Sequence, residues 1–147
     1  MTDEIPPLTR PEDMPPVRTQ ADLHRHFRAL MGRLGFSRTS LWLAFFDEDG
    51  HSLPMLQEID DLPELPSVDD LASLMRLCDY VLGIAGVPDG RVGFLLSRPG
   101  GPGVSAYDRA WASGLTTAAR ECGVRAFAVH LANDVELRAF TPDDAVA

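Results

Sequence analysis

The chain has 147 residues, a length typical of one domain, and its 45% hydrophobic and 24% charged residues are the composition of a folded globular protein. All 13 basic residues are arginine, which excludes chemistry that needs a lysine, such as a Schiff base or a phosphate-binding P-loop. The net charge of −9 argues against general binding to nucleic acid or to an anionic membrane. Two cysteines, Cys78 and Cys122, do not make a disulfide framework, and we expect reduced thiols in the cytoplasm.

The N-terminal segment is rich in proline. Residues 1–18 carry five of the 12 prolines and are predicted to form a loose or extended arm, because proline sustains neither a helix nor a central strand. The acidic start is unlike a signal peptide, and no apolar run approaches the roughly 20 residues needed to span a bilayer. The first helix is predicted over residues 20–34, capped by Thr19 and ended by Gly35.

A strand pair and a second helix are predicted next. Residues 39–46 are β-branched and aromatic, and residues 53–59 return antiparallel after a turn. Pro54 is expected at an edge of the sheet, since it cannot donate to a ladder. Residues 47–70 contain nine acids and no arginine, which we interpret as a solvated connection rather than a metal site. The apolar spacing then predicts a helix over residues 68–84.

A buried strand and a third helix follow. Residues 92–96 form a short apolar run that predicts a central strand covered on both faces. After a loop of glycines and prolines, Ser105 and Asp108 have the spacing of a capping box, and Gly123 is expected to end the helix.

Two further strands complete the predicted sheet. Residues 124–131 and 135–140 are expected to pair through a turn at Asn133-Asp134, and residues 142–147 are expected to be a polar tail. The predicted order is α-β-β-α-β-α-β-β in one domain over residues 19–141. This order indicates a mixed β-sheet with flanking helices, of the α/β or α+β class.

The segment Phe94-Leu95-Leu96-Ser97-Arg98-Pro99-Gly100-Gly101-Pro102-Gly103-Val104-Ser105-Ala106-Tyr107-Asp108 resembles the core of a JAB/MPN (JAMM) domain, especially the bacterial RadC-like branch. In that family a strand ends in His-x-His-Pro, a Gly/Pro-rich loop follows, and Ser-x-x-Asp opens a helix. The order of elements from Thr39 to Phe140 also resembles the family's cytidine-deaminase-like layout. The resemblance implies a zinc site in active members, in which two histidines and the aspartate hold the metal and an upstream glutamate acts on its water.

The zinc-ligand histidines of that motif are missing here. Counting back from Ser105 places Leu95 and Ser97 at the histidine positions, whereas anchoring on the proline places Leu96 and Arg98 there. Neither register supplies an imidazole, and Arg98 would put a fixed cation where zinc sits. The resemblance therefore implies a domain without catalytic zinc.

Only two residues of the ligand motif remain. A helix cap explains both Ser105 and Asp108. Glu58 lies on the predicted strand pair, at a place that could correspond to that of the family's upstream glutamate. Without a metal, Glu58 has no metal-bound water to activate. The four histidines are too scattered for a convincing metal site; they are His24, His26, His51 and His130. We therefore expect neither a metal nor another cofactor.

Three functions remain open from the sequence. The first is a non-catalytic JAB/MPN-like domain that acts through contacts with a protein partner, using the acidic stretch 47–70 and the basic outer face of the first helix. The second is a small-ligand or nucleotide-binding domain that uses the loop 98–105, although an acid in the first helical turn opposes an anion. Its candidate binding residues are Arg98, Gly100, Gly101, Ser105 and Asp108. The third is a metal-independent hydrolase in which Glu58, Ser105 and Asp108 meet.

A homodimer is also predicted. Residues 39–46 carry more apolar surface than one sheet face buries, and a two-fold partner would cover the remainder. The alternative is that helices on both faces cover the strand.

Overall fold

The computed structural model describes residues 5–10 and 13–146. The helices and strands follow the predicted order, with one short helix added at the end. They are α1 (Gln20–Met31), β1 (Ser40–Phe46), β2 (Ser52–Asp60), α2 (Val68–Ile84), β3 (Arg91–Ser97), α3 (Ala106–Cys122), β4 (His130–Ala132), β5 (Leu137–Ala139) and α4 (Pro142–Val146). Within the described residues, none of these helices has the length and apolar character needed to cross a membrane.

The five strands form one mixed sheet in the order β2-β1-β3-β4-β5. β1 runs antiparallel to both β2 and β3, β3 is parallel to β4, and β4 is antiparallel to β5. Pro54 lies in the edge strand β2, where the pairing with β1 is irregular between Ala44 and Phe46. The predicted edge position of Pro54 is therefore confirmed, and the irregularity lets the ladder tolerate a residue without an N–H.

Helices cover both faces of the sheet. On one face α2 and α3 pack on alternate residues of β1, namely Leu41, Leu43 and Phe45. On the other face α1 packs through Leu23 and Phe27. Close approach of α1 requires Gly93 in β3, because a Cβ there would lie 3.0 Å from the Leu23 Cδ1 atom. The predicted mixed sheet with flanking helices is confirmed.

The aromatic strand β1 is an interior strand rather than a free surface. Six of its seven residues are buried, and Trp42 is half-buried. The apolar surface that motivated the predicted homodimer is thus covered by the chain's own helices. The homodimer stays a prediction, and light scattering at micromolar concentration tests it.

Two predicted boundaries are wrong. α1 ends at Gly32, whose φ of 60° and N–H bond to the Arg28 carbonyl stop the helix before residue 34. The strand expected over residues 124–131 is reduced to β4, with one isolated bridge between Ala126 and Val92. The alternating pattern in that segment reflects side chains that enter the two apolar clusters from an irregular backbone.

The end of the proline-rich arm is packed rather than loose. Residues 1–4, 11 and 12 of the predicted arm lie outside the described residues. Met14 and Val17 are buried, and the Val17 N–H donates to the Gly50 carbonyl over 2.7 Å. Gly50 has a φ of 90°, and a Cβ there would collide with the Val17 carbonyl oxygen. A glycine at this turn therefore lets the arm dock against the strand pair.

The predicted polar tail begins with α4. Asp144 accepts hydrogen bonds from the Arg138 guanidinium at 2.9 Å and from the Thr141 N–H at 2.9 Å. Arg109 of α3 donates to the Asp144 carbonyl, which ties the short helix to the domain. Ala147 lies outside the described residues.

Candidate functional site

Arg98 is the centre of the predicted site, directly after β3. Its Nε atom lies 3.0 Å from both carboxylate oxygens of Asp108, at the start of α3. Its other guanidinium nitrogens donate to loop carbonyls, Nη1 to Pro99 and Nη2 to Gly101 and Gly103. Each nitrogen of the guanidinium therefore has an acceptor within the protein.

Asp108 has two roles at once. Its carboxylate accepts the Ser105 N–H at 2.9 Å, and its own N–H donates to the Ser105 hydroxyl, so the predicted capping box is confirmed. The same carboxylate pairs with Arg98, and only 3% of the Asp108 side chain and 14% of the Arg98 side chain are exposed. A buried pair with several hydrogen bonds holds its geometry more firmly than a surface pair.

The glycines of the loop are held by the β4–β5 turn. The Gly100 N–H donates to Asp134 over 2.8 Å, and the Gly103 N–H donates to Glu136 over 2.9 Å. The Gly100 N–H is the largest cause of the lowered pKa of Asp134, followed by the Phe36 N–H. The loop is thus fastened at both ends, by Arg98 on one side and by the turn on the other.

This arrangement brings four of the predicted binding residues together around one guanidinium or one cap: Arg98, Gly101, Ser105 and Asp108. Gly100 is joined to the group through Asp134. An anion bound by Arg98 would compete with the Asp108 carboxylate and the loop carbonyls for the N–H groups of the guanidinium. The Nη atoms of Arg98 therefore bind carbonyl groups of the loop's own backbone.

Glu58 belongs to a different cluster. Together with Asp60 it accepts hydrogen bonds from the single hydroxyl of Ser40, at 3.1 and 2.8 Å. Partial burial and the hydrogen bond with Asp60 raise the pKa of Glu58, while the Ser40 hydroxyl lowers that of Asp60. The structure thus pairs Glu58 with β1 and β2 residues, whereas Asp108 pairs with Arg98 and Ser105.

The residues at the absent histidine positions are also accounted for. Leu95 and Leu96 are buried in opposite apolar clusters, and the buried Ser97 hydroxyl accepts the Trp42 Nε1–H at 3.0 Å. Arg98 is the one that reaches Asp108.

One group of side chains in the described part of the chain has the spacing of metal ligands: Asp47, Asp49 and His51. Asp47 Oδ1 already accepts the N–H groups of Asp49 and His51, at 2.9 and 2.8 Å. Its other oxygen lies 3.3 Å from His51 Nδ1. These contacts are those of a hydrogen-bonded turn, in agreement with the solvated connection that the sequence indicates.

Two histidines that sequence reasoning passed over are buried. His130 stands 6.1 Å from His24 and 5.6 Å from Phe27, ring centroid to ring centroid. His26 lies edge-on to Phe46 at 5.0 Å. Burial lowers the pKa of both His26 and His130 to about 4. For His26 a local signal was present, since it lies three residues after Leu23 and four before Leu30 on the same helix, whereas no local signal joins His24 to His130.

Comparison with known proteins gives no relative. No protein-family model, no curated protein and no solved structure matches this chain.

Proposed function

We propose that this chain is a non-catalytic relative of JAB/MPN domains that acts through contacts with another protein. The observation that carries the proposal is the Arg98–Asp108 pair, with Nε 3.0 Å from both carboxylate oxygens. In the family pattern that aspartate would help to hold zinc. Here a permanent cation of the chain itself neutralises it, at one of the two positions where a histidine is expected.

The order of the strands supports the same proposal. The interior strand β1 is antiparallel to both of its neighbours, and β3 is parallel to β4; we take this arrangement as support for the cytidine-deaminase-like layout that the sequence resembles. The capping box at the start of α3 stands where the family's Ser-x-x-Asp opens a helix. The proposal takes both features as those of the family pattern, with other residues at the two histidine positions.

Two oppositely charged surfaces are available for a partner. The acidic stretch 47–70 is largely exposed. Arg25 in α1 and Arg33 in the turn after α1 are also exposed. Between described residues, no ion pair given by the structure links these arginines to the acidic stretch; Asp60 pairs instead with Arg38 at 3.4 Å. A basic partner surface would therefore find the acidic stretch mostly unneutralised.

The other two functions gain no support from the geometry. A ligand at the loop 98–105 would compete with four internal acceptors of Arg98. A hydrolase that uses Glu58 with Asp108 would need the two carboxylates to act together. Between described residues no hydrogen bond or ion pair joins them: Glu58 accepts from Ser40, and Asp108 pairs with Arg98. Neither alternative is proposed.

Cross-linking offers a sharp test because the chain has no lysine. A zero-length reagent that couples carboxylates to amines then produces, apart from links to the chain's own N-terminus, only links to lysines of other proteins. We expect links from Asp69 and Asp70 to lysines of a partner in lysate of the native source. The charge reversal Glu64→Arg should reduce their yield, since it weakens the acidic surface.

A matched control is Asp143→Arg, an exposed acid in α4 outside the acidic stretch, which should leave the yield unchanged. Equal loss in both variants would indicate nonspecific charge capture. Hydrolysis of a peptide or isopeptide bond that requires zinc and Asp108 would contradict the non-catalytic assignment.

A further inference from the structure

A groove of about 320 Å³ lies between the N-terminal arm, α1 and β2. Leu8 and Met14 of the arm form one wall, and Leu30 of α1 forms another. β2 supplies a continuous run from Ser52 to Leu56, and Ala44 of β1 completes the lining. Among the residues that the structure describes, the lining of the groove includes no charged side chain. Its volume is at the lower end of the range for small-molecule sites, about 300–1,000 Å³.

His26 is the polar group of this groove that lacks a partner. Its side chain belongs to a residue that is only 5% exposed, and its buried Nδ1 atom has no hydrogen bond. Buried polar atoms are nearly always paired in native proteins, with protein, water or ligand. The ring also packs edge-on against Phe46, with the two ring centroids 5.0 Å apart.

The charged residues near His26 line a second cavity. A smaller cavity of about 70 Å³ shares His26 and Met14 with the groove and is also lined by Asp22 and Arg25. The Asp22 carboxylate already accepts the Arg18 and Thr19 N–H groups at the start of α1. The described residues that line the groove with His26 are uncharged. Burial lowers the pKa of His26 to about 4, so the ring is neutral at pH 7.

We propose that the groove is a binding site for a small neutral amphiphile, whose apolar chain lies along β2 and whose hydroxyl or amide group pairs with the His26 ring nitrogen. This proposal is independent of the protein-contact function. A neutral imidazole both donates and accepts, which suits a hydroxyl or an amide. A carboxylate or an ammonium group would be buried without an opposite charge, which is strongly unfavourable.

The test uses 1-octanol as the probe and octanoate as the matched charged control. Each is titrated into the wild-type protein at pH 7 while the His Cε1 and Met methyl signals are followed by NMR. We expect saturable shifts at His26 and Met14 with 1-octanol, and binding of octanoate at least tenfold weaker. The ring nitrogen shifts of His26, recorded in the same titration, report the new hydrogen bond directly.

Two variants locate the site. His26→Phe keeps an aromatic ring and removes the nitrogen, and we expect it to bind 1-octanol about threefold to tenfold more weakly. His51→Phe changes an exposed histidine outside the groove and should bind as the wild type does. If His26→Phe fails to fold, the nitrogen shifts of the wild-type protein still decide the question.

Three results would overturn the proposal. One is the absence of a saturable shift up to the solubility limit of 1-octanol, which would leave water as the occupant. The second is equal binding of octanoate, or binding that moves Met14 but not the His26 nitrogens, which would indicate a nonspecific apolar surface. The third is unchanged binding in a folded His26→Phe variant.

Discussion

The loop 98–105 and the groove beneath the arm make opposite use of a buried polar side chain. In the loop, Arg98 gives each guanidinium nitrogen an acceptor from its own chain, and Asp108 is shared between a cap and an ion pair. In the groove, His26 keeps a buried nitrogen without a partner. Of these two regions, the polar loop satisfies the nitrogens of its buried guanidinium, whereas the mostly apolar groove has a buried ring nitrogen without a hydrogen-bond partner.

This difference shows that residue type alone does not mark a site. A glycine-rich loop at a helix start is a common anion site, and the sequence pointed to it for that reason. What decides is whether the donors remain available after folding. In the loop, the Arg98 nitrogens and the N–H groups of Gly100 and Gly103 already donate to acceptors of the same chain. The following predictions test that statement and its counterpart in the groove.

The largest expected effect is at Asp108. Asp108→Ala leaves the Arg98 guanidinium without its carboxylate in a site where both side chains are mostly buried. Removing one partner of such a pair costs about 3–5 kcal/mol, so we expect the free energy of unfolding in urea to fall by that amount. Asp143→Ala, an exposed acid in α4, is the control and should change it by less than about 0.5 kcal/mol. A loss at Asp108 no larger than the control's would show that the pair is not structural.

The buried histidines predict a dependence of stability on acidity. His26 and His130 have a folded pKa of about 4 against an ordinary value of 6.5, so the unfolded state binds more protons between these values. Stability should therefore fall as pH decreases from about 6.5 to 4, by up to about 1.4 kcal/mol per pH unit for each histidine, and these two groups contribute no further change below that.

Urea titrations between pH 7 and 4.5 measure this dependence before most carboxylates titrate. His26→Phe should reduce the slope, whereas His51→Gln, which alters an exposed histidine, should retain it. A wild-type stability that stays level across this range would mean that the two rings are not buried as described.

The smallest effect is expected at the cap. Ser105→Ala removes the hydroxyl that accepts the Asp108 N–H at 3.1 Å and should cost about 0.5–2 kcal/mol. The fold should remain intact, because the Asp108 carboxylate keeps its bond to the Ser105 N–H. Ser37→Ala, an exposed serine outside the helices, serves as the control for the denaturation midpoint. No change in the Ser105→Ala midpoint would argue against the cap.

The sequence predicted the elements with strong local signals. α2 over residues 68–84 and α3 from Ser105 to Gly123 agree with the structure, since each has a capping residue and an apolar stripe. Residues 124–129 were misjudged because an alternating pattern does not reveal an interruption of the ladder: Ala126 bridges to Val92 and His130 pairs with Leu95, so this segment has one residue more than β3 between the two contacts. β4 pairs with only three residues of β3.

The candidate site was predicted in part. The capping box is local, and the sequence gives both of its residues. The sequence predicted Arg98 only as a cation at the place of a metal, and it did not predict the ion pair with Asp108. The hydrogen bonds from Arg98 to the Gly101 and Gly103 carbonyls depend on how the loop folds back. The groove at His26 forms only where the arm, α1 and β2 meet in the folded chain, so no local sequence pattern predicts it.

The central claim is that Arg98 forms an ion pair with Asp108, the aspartate that a metal would need as a ligand. The zinc content of the protein tests this claim most directly. The purified chain is dialysed against zinc at pH 7 and then against metal-free buffer, and the retained metal is measured by elemental analysis for the wild type, Asp108→Asn and His51→Gln. We predict that the wild type retains far less than one zinc per chain. His51→Gln, at the exposed turn, should lower the zinc that remains, and Asp108→Asn should not. One tightly held zinc per chain that is lost in Asp108→Asn would contradict the account.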